Sequence, residues 1–166
     1  MNTGSLRLDS NGNARLLIDT NLLVLFVVGR VNRNRIENFK RTRQYSKEDY
    51  ELLLRVIERF DQLYTVAHVM AEVSNLTDLT GSERLQARRL LKETLTVLIE
   101  PEMPSVRAAQ SRSYADLGLV DAAIASIAAE HKCTVLTDDL DLYLALSTAD
   151  VPVLNFTHLR ASAWGV

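Results

Sequence analysis

Leu16-Leu17-Ile18-Asp19-Thr20-Asn21-Leu22-Leu23-Val24-Leu25-Phe26 restricts the architecture of this chain more than any other stretch. Three apolar residues run into a carboxylate, and two small polar residues then open a second apolar run. A strand covered on both faces needs apolar side chains at successive positions, so Leu16 to Ile18 read as a central parallel strand. Asp19 then falls at the strand's carboxyl end, the edge where open α/β sheets bind ligands. Thr20 and Asn21 can cap the following helix, which the pattern carries to about Val28 and stops at Gly29. Taken alone, Asp19 has two readings: a cap or turn residue, and a functional carboxylate.

The rest of the chain supplies the partners such a strand needs. Leu6 and Leu8 alternate weakly with Arg7 and Asp9 ahead of an Asn11-Gly12 turn, a pattern of a short edge strand or hairpin. Ser46, with Asp49 three residues on, makes a capping box for a helix whose apolar positions Tyr50, Leu53, Leu54, Ile57 and Phe60 reach to about Asp61. Leu63 to Val66 read as a second strand, and His68 to Leu76 as a helix with Val69, Val73 and Leu76 on one face and Glu72 beside it. After Gly81 and Ser82, Ala87, Leu90, Leu91, Leu95 and Leu98 mark a further helix, ended by Pro101 and Pro104. Ser105 caps a more polar helix to about Leu117, stopped by Gly118. Val120 to Glu130 carry small side chains at nearly every position, which suits a central, closely packed helix with Asp121 in its first turn. Thr134 to Leu136 are the next buried strand, a helix runs through Leu142 to Leu146, and Val151 to Leu154 form the last strand. The order β-α-α-β-α-α-α-α-β-α-β implies a three-layer α/β/α fold, with a mainly parallel sheet of four to five strands flanked by helices. No repeat or linker divides residues 1–166, so one domain is expected, with its core over 14–156 and a basic insertion over 30–47.

Composition excludes several function classes. A net charge of −2 gives no global attraction to nucleic acid or membrane, so any such attraction must be local. It is local between Arg30 and Lys47, where Arg30, Arg33, Arg35, Lys40, Arg41, Arg43 and Lys47 face only Glu37, with Phe39 and Tyr45 interleaved. That run reads as a solvated loop or as a phosphate-contacting arm in which Arg33, Arg35, Lys40, Arg41 and Arg43 would carry the affinity. Cys133 is the only cysteine, which excludes an internal disulfide or a cysteine zinc cluster and fits a reducing cytoplasm. Met1 to Asn13 lack the apolar core of a signal peptide, and no apolar run is long enough to span a bilayer.

Four acidic places remain: Asp19, Glu72, Asp121, and the group Asp138, Asp139 and Asp141. Each has an ordinary explanation: a surface helix glutamate for Glu72, helix-dipole compensation for Asp121, an N-cap cluster for the aspartates. If all reach one sheet edge, several carboxylates share a partly buried pocket, where like charges raise one another's pKa unless cations lie between them. Hard oxygen donors without clustered cysteine or histidine select Mg²⁺ or Mn²⁺. Phosphodiester hydrolysis is the chemistry that uses such a site.

These segments resemble the four motifs of the PIN-domain ribonucleases, in order. The matching stretches are Leu-Ile-Asp19-Thr-Asn-Leu-Leu, Val-Met-Ala-Glu72-Val-Ser-Asn, Leu-Gly-Leu-Val-Asp121-Ala-Ala-Ile and Val-Leu-Thr137-Asp138-Asp139-Leu-Asp141, spread over about Leu16 to Asn155. The resemblance implies Asp19, Glu72, Asp121 and Asp139 as catalytic and metal-holding acids, with Asp141 assisting and Asp138 at the variable position. Thr20, Asn21 and Thr137 would orient the carboxylates or a metal-bound water. It also implies one or two Mg²⁺ or Mn²⁺ ions and cleavage of single-stranded RNA. The family includes nuclease toxins of toxin–antitoxin pairs, so an antitoxin partner and paired subunits belong to the same expectation. The basic segment is longer than compact toxin members need at that place. His68 is expected to pack near a helix start, and Asp116 to lie at a helix end.

Two further readings stand beside the nuclease. One is a nucleic-acid or protein-binding module that keeps the fold without turnover, although a binder has no need of mutually repelling carboxylates. The other is an aspartate-nucleophile phosphotransfer enzyme. That chemistry wants an acid two residues after the first, where this chain has Asn21, and a lysine near the last strands, where none follows Lys132.

Overall fold

The computed structural model describes residues 12–165, excluding the side chain of Trp164. The first strand, β1 (Arg15–Ile18), leads into helix α1 (Thr20–Val31), a 3-10 helix (Arg33–Asn38) and α2 (Lys47–Ile57). Then come β2 (Gln62–Tyr64), α3 (Ala67–Leu76), α4 (Gly81–Leu95), α5 (Ser105–Ala109) and α6 (Tyr114–His131). The chain closes with β3 (Thr134–Thr137), α7 (Leu140–Thr148), β4 (Val153–Asn155) and α8 (Phe156–Trp164).

The sheet has the order β2-β1-β3-β4 and every neighbouring pair is parallel. Leu16, Leu17, Val135 and Leu136 in its two central strands are wholly shielded, as the unbroken apolar runs require. Ile99 adds a single bridge to Tyr64, not a fifth strand. Because all strands point the same way, the segments leaving Ile18, Tyr64, Thr137 and Asn155 emerge along one edge. That consequence of topology brings residues distant in sequence together.

The structure departs from the sequence expectations at Gly29, in the polar helix from Ser105 and in the C-terminal segment. Gly29 does not end α1. It is buried inside the helix against Tyr50, whose ring carbons would lie 2.4 and 2.5 Å from a Cβ at that position. The helix runs on to Val31 because close packing, not a helix stop, is what requires glycine there. The polar helix from Ser105 is only five residues long. Gly118, at φ 79° and ψ −177°, is non-helical and ends a short helical segment at Leu117, as expected, before the longer second part of α6 begins. The capping box of Ser46 and Asp49 is present in both directions. Helix α8 was not legible, since its apolar residues are few; Asn155 caps it by accepting from the His158 N–H at 3.1 Å, and Phe156 is buried. The expected strand around Leu6 and Leu8 lies outside the described residues.

The basic segment is not a solvated loop. Ile36, Thr42 and Tyr45 are buried, and Thr42 Oγ1 donates to the Ile36 carbonyl at 2.7 Å. Three of its cations are held by carboxylates of other elements: Arg33 by Glu51, Arg35 by Glu83 and Lys40 by Asp78. Arg41 and Arg43 are exposed. Among the described residues no helix is long and apolar enough to cross a membrane.

Candidate active site

Asp19 is buried at the junction of β1 and α1, and its backbone N–H donates to the Leu136 carbonyl of β3 at 2.9 Å. The residue is both cap and pocket carboxylate. Its Oδ1 accepts from the Thr20 N–H at 2.6 Å, and its Oδ2 accepts from Thr137 Oγ1, also at 2.6 Å. The capping role foreseen for Thr20 and Asn21 thus falls to Asp19 itself. Thr20 instead joins two acids: while its N–H holds Asp19, its Oγ1 donates to Glu72 Oε2 on α3 at 2.8 Å. Thr137 does the same on the other side. Its hydroxyl donates to Asp19 and accepts from the Asp139 N–H at 3.0 Å. Asp139 caps α7, with Oδ1 accepting from the Leu142 N–H at 2.9 Å.

Electrostatics show how close these groups stand. Burial pushes the Asp19 carboxyl from 3.8 up to about 6, against the hydrogen bonds from Thr137 and Thr20, and the charges of Asp138 and Asp139 push the same way. Asp121, just past the Gly118 break in α6, is pushed up to about 7 by burial and then by the charges of Asp19, Asp139 and Glu72. Asp19, Glu72, Asp121 and Asp139 therefore share one field at the carboxyl edge of the sheet. Asp141 is exposed in the first turn of α7 and shifts neither Asp19 nor Asp121.

Asp138, read from sequence as the variable position, is tied into the rim. Asn21 Nδ2 reaches its Oδ1 at 3.4 Å, and the hydroxyl of buried Tyr45 donates to its Oδ2. Burial and the Asp138 charge together hold the Tyr45 phenol well above its ordinary range. Tyr45 also lies edge-on to Phe156 and beneath the Arg160 guanidinium, which pairs with buried Asp49. Nothing in the local sequence signals this contact, because its partners are 93 positions apart.

His68 is half-buried, with Nε2 at 2.8 Å from Ser105 Oγ of α5, consistent with a packed histidine near a helix start. Asp116 lies in the short first part of α6, two residues before the break at Gly118, and so at a helix end as expected. Cys133 precedes β3 at the opposite edge of the sheet, where burial pushes its thiol up to about 12. The pocket therefore offers only hard oxygen donors. Among the described residues, no three histidine, cysteine, aspartate or glutamate side chains close on one point. Oxygen donors of this kind suit Mg²⁺ or Mn²⁺, held by some of these carboxylates directly and by others through bound water. Both Asp19 oxygens retain a lone pair beyond the bonds they accept.

Residues 16–145 match the PIN domain family, and the chain belongs to it. PIN domains are generally nucleases, and typically use divalent metals. Two solved structures share the fold. The crystal structure of FitAcB from Neisseria gonorrhoeae is 22% identical with a TM-score of 0.56, over 86% of this chain and 99% of that one. FitAB bound to an IR36 DNA fragment is also 22% identical, with a TM-score of 0.53 over 85% and 94%. A comparison with curated protein sequences gave no match.

Proposed function

We propose that the chain is a Mg²⁺- or Mn²⁺-dependent endoribonuclease that hydrolyses phosphodiester bonds in single-stranded RNA. The observation that carries this reading is the burial of acids within one another's field: burial first, and neighbouring carboxylates after it, raise Asp19 to about 6 and Asp121 to about 7. A fold gains nothing from burying carboxylates that repel one another unless a cation relieves them.

Asp19, Asp121, Glu72 and Asp139 would hold the metal, with Asp141 at the margin. When bound, the ion lowers the pKa of an attacking water and stabilises the leaving oxygen. The protein's own part is positional. Thr137 fixes Asp19 relative to Asp139, Thr20 fixes Asp19 relative to Glu72, and Asn21 with Tyr45 fixes Asp138 at the rim. Arg41 and Arg43 are the exposed cations that best serve as an arm for the RNA backbone, since Arg33, Arg35 and Lys40 are engaged. Toxin membership, with an antitoxin partner and paired subunits in the cytoplasm, is the biological setting that the family motifs favour.

Because one structural neighbour was solved with DNA, the test offers both nucleic acids. With Mn²⁺ present, wild type should cleave single-stranded RNA and Asp19→Asn should lose about 10²–10³-fold in rate, the scale of removing one preorganised electrostatic group. Undiminished cleavage by the variant would remove Asp19 from the chemistry. Cleavage of DNA alone would replace the substrate, and no cleavage of either would favour the non-catalytic binding module.

A further inference from the structure

A cleft of about 210 Å³ opens where the end of α3 meets α4, lined by Ser74, Asn75, Thr77, Asp78, Arg84 and Arg88. We propose that this cleft is a phosphate subsite that seats a backbone phosphate of the polynucleotide beside the acidic pocket. The proposal rests on the nuclease reading for its ligand, and on the following observations for its place.

The first is position. Asn75 stands three residues after Glu72 on α3, so the two are neighbours on the helix surface, with Cβ atoms about 5–6 Å apart. A strand that runs along this face of α3 from Glu72 meets Asn75 next.

The second is charge. Arg84 and Arg88 are four residues apart on α4, one above the other on the same face. Arg84 donates its Nε to the Leu79 carbonyl at 3.0 Å, which steadies the guanidinium and leaves its terminal nitrogens for a ligand. The cleft's one carboxylate, Asp78, is already paired: Lys40 Nζ of the basic segment is 2.9 Å from its Oδ2. The Lys40 hydrogen bond and charge hold the Asp78 carboxyl below its ordinary range, and the Arg41 charge adds to the effect. Cations from two elements thus surround a single neutralised acid, and the excess is positive.

The third is chemistry. Two guanidiniums with neutral donors from Ser74 and Asn75 match the oxygens of a phosphodiester. The cleft borders the basic segment through the Lys40–Asp78 pair and the Glu72 face of α3 through Asn75.

The test is fluorescence anisotropy with a short labelled single-stranded RNA of mixed sequence, in an Asp19→Asn background that leaves it uncut. Arg88→Ala is compared with Arg89→Ala, which removes the same charge from the next position on α4, where Arg89 lines a different cleft with Lys92 and Glu93. Both arginines are exposed, and circular dichroism checks that both variants fold. Arg88→Ala should weaken binding about fivefold and reduce the slope of log K against log salt by about 0.7, one single-strand phosphate contact, with Arg89→Ala close to the parent. Equal effects of the two variants would overturn the subsite in favour of a diffuse surface charge. A cleft that serves a partner protein's carboxylate instead would show as unchanged RNA affinity in Arg88→Ala. The nuclease reading fails separately, as intact RNA in the metal-supplemented wild-type reaction.

Discussion

Asp19 closes a helix and faces a pocket with the same carboxylate, and the two roles pull its ionisation in opposite directions. The Thr20 and Thr137 hydrogen bonds favour the anion, while burial and neighbouring charges disfavour it, and burial wins, since the carboxyl stands near 6. A carboxyl whose folded pKa exceeds its unfolded value of 3.8 stabilises the fold fully below that value. The contribution is lost as pH rises through the folded pKa. For Asp19 and Asp121 that window runs from about pH 4 to about pH 7. The metal-free protein should therefore lose stability between about pH 4 and pH 7 in thermal melts, by about 2–3 kcal/mol from Asp19, with less from the partly exposed and solvent-screened Asp121. Saturating Mn²⁺ at pH 8 should restore most of it. A flat profile would mean that the acids are not mutually strained. At this scale, Asp19 and Asp139 are legible because each follows an apolar strand, and Asp121 because it opens an apolar helix, whereas Glu72, in the middle of α3, stands out only through the motif it shares with the family. The Tyr45–Asp138 contact is not legible, since only the folded chain brings residues so distant in sequence together.

At the scale of elements, the apolar periodicities located most helices and all four strands, because burial on one face or two imposes a pattern on the residues themselves. Gly29 gave a false helix stop, whereas Gly118 marks a true one. At Gly29 the reason lies in another helix: α1 approaches α2 so closely that Tyr50 occupies the space of a side chain. Gly29→Ala should therefore destabilise the fold by about 1–3 kcal/mol despite the better helix propensity of alanine, lowering Tm by about 3–8 °C. A raised Tm would show that Tyr50 yields easily and that the contact is soft. Helix α8 escaped notice for a related reason, since much of its hold is a charged contact: Arg160 reaches the buried Asp49 and the Gln44 carbonyl. Asp49, identified as a capping residue from its spacing to Ser46, serves both helices.

The whole molecule turns one topological choice into a site. With every strand parallel, the acids that follow β1 and β3, Glu72 in the middle of α3 and Asp121 near the start of the second part of α6 share one edge. The basic segment folds against that edge, and its cations divide into paired and free sets. Replacing Arg41 and Arg43 with alanine should reduce the salt slope of RNA binding by about 1.4, two single-strand contacts. Replacing Arg33 and Arg35 should leave the slope near its original value, since those side chains already face Glu51 and Glu83. Equal losses from both pairs would mean that the ion pairs open on binding. Charge composition revealed that the segment was basic but not which cations were spent internally, because their partners lie on α2 and α4. The central claim is that Asp19, Glu72, Asp121 and Asp139 form a divalent-cation site, and titration calorimetry of Mn²⁺ near pH 7 measures it directly. Wild type should bind Mn²⁺ with release of protons from Asp121 and, to a smaller extent, Asp19, detectable as heats that depend on the buffer, and Asp19→Asn and Asp121→Asn should each weaken binding at least tenfold. Absent binding, or affinity and proton release unchanged in both variants, would contradict it.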